Sequence, residues 1–232
     1  MPSFLLPDYL ALAFFALCWL AYHLFVEGSQ ARHHGLNSIM NGYRLRWMQE
    51  MSQREVRIID SAIMASLQNG TAFFASTSLL AIGAAATLLR ATDDVLQVFS
   101  DLPFGLVTTR GLWEAKVIGL GIIFGYAFFK FAWSYRIFNY AAILVGATPP
   151  ADSPDAAGRR RISFHAAQMN IAAARHFSRG QRAFFFALGY LGWFISPYAL
   201  MLSTGAILVV MAARQFASDA RQAVMQDPPD AS

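Results

Sequence analysis

The chain reads as an all-α, four-helix transmembrane bundle with amphipathic cytoplasmic helices and one short helix on the outer surface. Three observations predict this. Hydrophobic residues make up 56% of the chain and charged residues only 14%. The apolar residues fall into four blocks with no periodic polar face, and a water-facing helix would show one. Arginine collects between the blocks. The blocks lie at about 8–26, 70–90, 115–137 and 183–211, and roughly 20 helical residues cross a hydrocarbon layer of about 30 Å.

No basic residue precedes the first block, and Asp8 stands where a cleaved signal peptide carries positive charge. It therefore reads as a retained anchor. Cys18 is the single cysteine, so an intrachain disulfide is excluded. In the next connection Met40, Tyr43, Trp47, Met51 and Ile58 recur at helical spacing. They predict a helix over about 38–60 that lies on the headgroups and runs on into the second span. That span carries a stripe of small and polar residues, Ser61, Ala65, Gln68, Ala72, Ser76, Gly83 and Ala86. Small residues let helix backbones approach closely in lipid.

Outside the second span, Thr92, Asp93 and Asp94 can cap a short surface helix through Phe99, which Pro103 and Gly105 end. The third block is overlong, with helical character over about 112–145, and places Gly121 and Gly125 in a GxxxG spacing. Pro149, Pro150 and Pro154 then break the chain. Ile162, Ala166, Met169, Ala173 and Phe177 predict a second cytoplasmic helix over about 160–179, ending at Gly180. Pro197 falls in the middle of the fourth block, where it kinks the span or opens a carbonyl for an ion. The polar, proline-bearing residues 226–232 read as a disordered tail behind a single integral domain, 1–225.

Arginine on short loops resists translocation and fixes orientation. The connections holding Arg32, Arg44, Arg46, Arg54 and Arg57, and Arg159, Arg160, Arg161, Arg175, Arg179 and Arg182, are expected on the cytoplasmic side. The connection with Asp93, Asp94, Asp101 and Glu114 is slightly acidic and belongs outside. Both termini are then expected outside, in a multi-pass protein of the bacterial inner membrane. The net charge of +4 sits beside the spans, where anionic headgroups attract it. Nucleic acid is not an expected partner.

Ionisable groups at membrane depth are costly and mark candidate sites. Lys130, among Tyr126, Phe129, Phe131 and Trp133, either snorkels to the headgroups or pairs with Glu27 or Asp60. His23 and Glu27 lie one turn apart and can share a proton, although an interhelical hydrogen bond serves them equally. Arg136 reads as an interfacial anchor. Ser76 and Thr77 belong to a hydroxyl-bearing face that lines a pore or simply packs. A bis-histidine haem needs a second imidazole at depth beside His23, and His165, Met169, His176, His33 and His34 lack the Cys or carboxylate grouping of a metal site. No cofactor or metal is expected. Neither a phosphate loop nor a nucleophile elbow appears, so no enzymatic chemistry is anchored here.

Several strings together resemble a known family: NSIMNGYRLRWM at 37–48, Arg57-Ile58-Ile59-Asp60, Phe73-Phe74-Ala75-Ser76-Thr77, FFKFAWSYR at 128–136, and Gly180-Gln181-Arg182-Ala183. They are similar to the bacterial and plant integral-membrane proteins grouped as domain of unknown function 599. The resemblance implies a multi-pass membrane protein whose shared polar framework includes Arg57, Asp60, Ser76, Thr77, Lys130, Arg136 and Arg182. It implies no catalytic residue.

The sequence reading is an oligomeric interaction or assembly protein. It presents its basic helical layer to a cytoplasmic partner or to anionic lipid. The alternative is a small oligomeric channel or transporter with a path past Ser76, Thr77, Lys130 and Glu27. A lipid- or quinone-modifying enzyme is a weaker third reading.

Overall fold

The computed structural model describes residues 4–28, 35–101 and 109–225. The calls on Arg32, His33, His34, Pro103, Gly105 and 226–232 fall outside them. The described residues form helices α1 (Leu6–Gly28), α2 (Leu36–Met51), α3 (Ile58–Arg90), α4 (Thr92–Asp101), α5 (Arg110–Ala147), α6 (Ala156–Tyr190), a 3-10 turn (Leu191–Phe194), α7 (Pro197–Phe216) and α8 (Asp219–Met225). Among them no strand occurs. Four stretches are long and apolar enough to cross a membrane: Leu6–Glu27, Ile58–Arg90, Arg110–Ala147 and Pro197–Met225. Their outer surfaces carry exposed apolar side chains such as Leu17, Leu80, Phe129 and Leu202. Acyl chains are the solvent such a surface fits.

The central pair is α5 and α6, packed antiparallel along their length. With 38 residues, α5 is about 57 Å long at 1.5 Å per residue, well beyond the bilayer core. Tight contacts lock the pair. Phe131, fully buried, lies where a Cβ on Gly180 would stand, and Ser134 donates to the Ala173 carbonyl at 2.8 Å.

Two breaks differ from the sequence expectation. The helix expected over 38–60 stops at Met51, and Ser52 donates its hydroxyl back to the Gln49 carbonyl at 2.7 Å. Arg57 then turns its guanidinium onto the last carbonyls of α5, at 3.2 Å from Val145, 2.5 Å from Thr148 and 2.7 Å from Pro149. It caps the neighbouring helix, and α3 starts afresh at Ile58. The second difference is at Gly180. The chain stays helical through it to Tyr190, merging the expected cytoplasmic helix 160–179 with the first part of the expected span 183–211. The break comes at 191–196. Pro197 is not a mid-span kink: it is at the start of α7, where its missing N–H costs nothing, and Ser196 caps the turn by accepting from Ala199 N at 3.0 Å.

Consequently α6 and α7 form a helical hairpin. Gly192 lies against the Ala199 carbonyl and Ser203, and Ser203 donates to the Gly189 carbonyl at 2.6 Å. α7 runs back parallel to α1: Trp193 meets Asp8, Tyr22 donates to the Met211 carbonyl at 3.2 Å, and Phe25 meets Phe216. Leu6, where α1 starts, and Phe216, where α7 ends, therefore lie at opposite ends of the bundle.

The two largest buried clusters lie at different levels of the described bundle. Phe15, Phe124, Phe186, Tyr190, Trp193 and Leu200 fill the space between α1, α5, α6 and α7. At the arginine-rich end, Met48 and Met51 of α2, Met64 of α3, Phe138 of α5 and Ala166 of α6 form the second. Where that end meets water, burying each large apolar side chain stabilises the layer by roughly 1.5–3 kcal/mol. At the opposite end Val95 and Leu96 of α4 cover Ala85, Trp113 and Val117.

Candidate functional site: an arginine-lined cleft

The polar groups concentrate where α1 ends, α2 begins, the middle of α6 passes and α7 ends. Arg175, Arg179 and Arg182 lie at i, i+4 and i+7 on α6 and so share one helical face. Glu27 answers two of them. Arg179 Nε donates to its Oε1 at 2.9 Å and Nη2 to its Oε2 at 2.5 Å, while Arg182 Nη2 also donates to Oε1. This fork geometry suits a guanidinium and a carboxylate. His23 Nδ1 stands 3.6 Å from Glu27 Oε1, so the pair expected from their spacing is present within a larger cluster.

Around this cluster opens a cavity of about 260 Å³, walled by Glu27, Asn37, Arg44, Arg175, Arg179 and Gln215 among others. A second of about 240 Å³ adjoins it and shares Val26, Asn37, Ser178, Arg182 and Gln215. Its remaining wall is largely apolar, with Tyr22, Leu36, Phe185 and Met211, and Arg214 sits over the Phe185 ring at 5.0 Å. Five arginines, Arg44, Arg175, Arg179, Arg182 and Arg214, thus face one carboxylate, Glu27. Among the described residues Arg44, Arg175 and Arg214 have no carboxylate within 4.0 Å. Among the described residues Arg44 donates only to Asn41 Oδ1, at 3.1 Å, and burial lowers its pKa from the usual arginine value. A desolvated cation without an anion is costly. The cleft is electrostatically built for negative charge.

The other sequence candidates lie elsewhere. Asp60 is fully buried, accepts from Trp47 Nε1 at 2.7 Å and Arg54 Nη1 at 2.6 Å, and fastens α2 to α3. With Arg57 it is structural. Lys130 pairs with neither Glu27 nor Asp60: its ammonium stands 5.0 Å from the Tyr126 ring centroid, and the acids are already engaged by arginines. Arg136 donates to Tyr140 Oη at 2.7 Å on the surface, as an interfacial side chain does. Ser76 is exposed and Thr77 half-buried, its hydroxyl donating to the Phe73 carbonyl, so neither lines an internal path within one chain.

The glycines differ too. Gly121 meets Ala85 at an ordinary 3.9 Å, while Gly83 and Gly125 face open space. Tight approaches between spans and their neighbours include Gly119 against Tyr190, Gly180 against Phe131 and Gly192 against Ala199. Among the described residues no group of three or more His, Cys, Asp or Glu is placed to hold a metal.

The family model described as "Protein of unknown function, DUF599" matches residues 10–220. The chain belongs to the DUF599 family. No curated protein and no solved structure matches it. The matched region of this DUF599 protein takes in all five cleft arginines and Glu27. Sequence reasoning found Glu27 and Arg182 but missed Arg44, Arg175, Arg179 and Arg214 as a site. The i, i+4, i+7 spacing on α6 was the available signal. Another cluster escaped it at the far end: buried Asp8 accepts from Trp193 Nε1 at 2.8 Å, and buried Lys116 stands 5.5 Å from the Trp193 ring centroid.

Proposed function

We propose that this DUF599 protein is a non-enzymatic, self-associating protein of the bacterial inner membrane that holds its arginine-rich helical layer at the cytoplasmic face as an interaction surface. The observation carrying this reading is the outward face of α3. That helix packs chiefly on α5, and its opposite side exposes Asn69, Gly70, Ser76, Gly83 and Thr87 at helical spacing within a candidate span. Asn69 finds no hydrogen-bond partner among the described residues, and an unpaired amide facing acyl chains is unfavourable. A second copy supplies both the close backbone approach and the polar contact such a face needs. The layer is suited to display because hydrogen bonds and a buried apolar cluster fasten it to the spans. Asp60 and Arg57 tie α2, α3 and α5 together there, and Met48 and Met51 are fully buried beneath it. The positive-inside rule puts the arginines in the cytoplasm.

Particle mass in lipid nanodiscs tests the reading. Wild type is expected to contain more than one copy, and Gly83→Leu combined with Ser76→Leu is expected to shift the population toward single chains while the helix content stays constant. A wild type that is monomeric in lipid at all accessible densities refutes self-association. Ion-selective flux through pure protein in liposomes, abolished by Lys130→Ala, would favour a channel instead.

A further inference from the structure

The arginine cleft carries an inference independent of self-association. We infer that it is a binding site for a phosphoryl group, carried by a ligand that approaches at the membrane boundary. The cavity of about 260 Å³ exceeds the volume of a phosphate and leaves room for its substituent. Arg44 and Arg175 bring guanidinium groups from two different helices, without carboxylate partners among the described residues. Planar guanidinium forks match phosphate oxygens in a bidentate way that ammonium groups do not. Asn37 and Ser38 add neutral donors, and they stand on the first turn of α2. There the N-cap Gly35 offers no side chain, and among the described residues no side chain accepts from the first N–H groups.

Glu27 shapes the selectivity. By occupying Arg179 and Arg182 it holds their charge in place and leaves Arg175 on the same face of α6, with Arg44 across from it on α2, for the incoming anion. The adjoining cavity explains how the phosphoryl group is delivered. Its walls come from Tyr22 of α1, Leu36 of α2, Phe185 of α6 and Met211 of α7, and α1 and α7 are both candidate spans. An apolar tail lying there keeps its phosphate among the arginines. The same donors would also hold a free phosphate, so the test separates the two sources.

Thermal unfolding is measured in phosphatidylcholine nanodiscs, alone, with phosphatidic acid added to the bilayer, or with inorganic phosphate in the buffer. At a hundredfold excess over Kd, binding raises Tm by roughly 5–10 °C. The rise is expected to vanish in Arg44→Gln/Arg175→Gln, to survive in Arg44→Lys to a lesser degree, and to persist in Arg136→Gln, which removes an arginine elsewhere. A shift with phosphatidic acid alone assigns the phosphoryl group to a lipid headgroup, and one with inorganic phosphate alone assigns it to a soluble ligand. No shift with either, or an equal shift in the double variant, overturns the site. Native mass spectra, with phospholipid retained by wild type and lost from the double variant, report on the same site if the variant unfolds early.

Discussion

Gly180 is where packing and intrinsic helix preference disagree, so Gly180→Ala separates them. In an exposed helix alanine stabilises over glycine by about 1 kcal/mol. At Gly180 a Cβ would stand 2.7 Å from Phe131 Cε1 and 2.8 Å from Cδ1, closer than carbon atoms approach. The ring has nowhere to retreat. It is fully buried, stacks on Phe74 with centroids 5.4 Å apart, and meets Phe177 edge-on at 5.5 Å. Overpacking of this kind costs roughly 1–3 kcal/mol, and the trapped ring places it near the upper value. After the helical gain, about 2 kcal/mol of destabilisation remains, or roughly 4–8 °C in Tm for a chain of this size.

Gly83→Ala is the control, since nothing lies within 4 Å of its Cβ position. The single, half-buried Cys18 supplies the assay: a thiol-reactive dye reports its exposure as the detergent-solubilised protein is heated. Gly180→Ala should melt early and Gly83→Ala at or slightly above wild type. If both variants gain stability equally, α5 and α6 do not approach as described, and the order of helices around α6 is wrong.

Glu27→Gln keeps the shape of the side chain but strips Arg179 and Arg182 of their counter-ion; with these groups partly exposed, a loss of roughly 2 kcal/mol is expected in the same assay. Unchanged melting would mean the cluster is solvated like a surface pair. Lys130→Met is expected to move stability by less than about 0.5 kcal/mol, because the ammonium makes no ion pair among the described residues; a severe folding defect would show a carboxylate partner. Reporters fused in turn to each end should give opposite localisation, the C-terminal one on the cytoplasmic side with the arginines. Matching signals from the two ends would contradict the parallel course of α1 and α7.

The fold class, the four apolar stretches, the short α4 and the projecting end of α5 were legible because each follows from composition and period alone. Break positions were not. Nothing local distinguishes the arginine that leaves the first layer to cap a distant helix, since Arg57 acts on carbonyls near residue 148. GxxxG pointed to Gly121 and Gly125, whereas close approach occurs where a large ring from the partner helix must fit, at Gly180 and Gly119. That depends on which helices are neighbours, which a single sequence does not contain. The cleft was half legible: Glu27 stood out beside His23 near the end of the first span and Arg182 through the family resemblance, but Arg44 joins them only once α2 is folded back across α6.

The path of α6 shows how a helix outside the four apolar stretches joins the bundle. Its second half runs beside α5 from Phe131 to Gly119, packed among the four long apolar helices without being one of them. Lipid is not its solvent. Buried Ala183, Phe186, Ala187 and Tyr190 face protein, with α1, α5 and α7 packed around them. A helix shielded in this way can carry Arg179 and Arg182 at the edge of the hydrophobic zone, because Glu27 rather than acyl chains meets them. The residues that hide α6 from a hydropathy reading are therefore the ones that build the cleft. The hairpin at 191–196 then returns the chain to the arginine-rich end, where Gln215 completes the cavity wall beside Asn37.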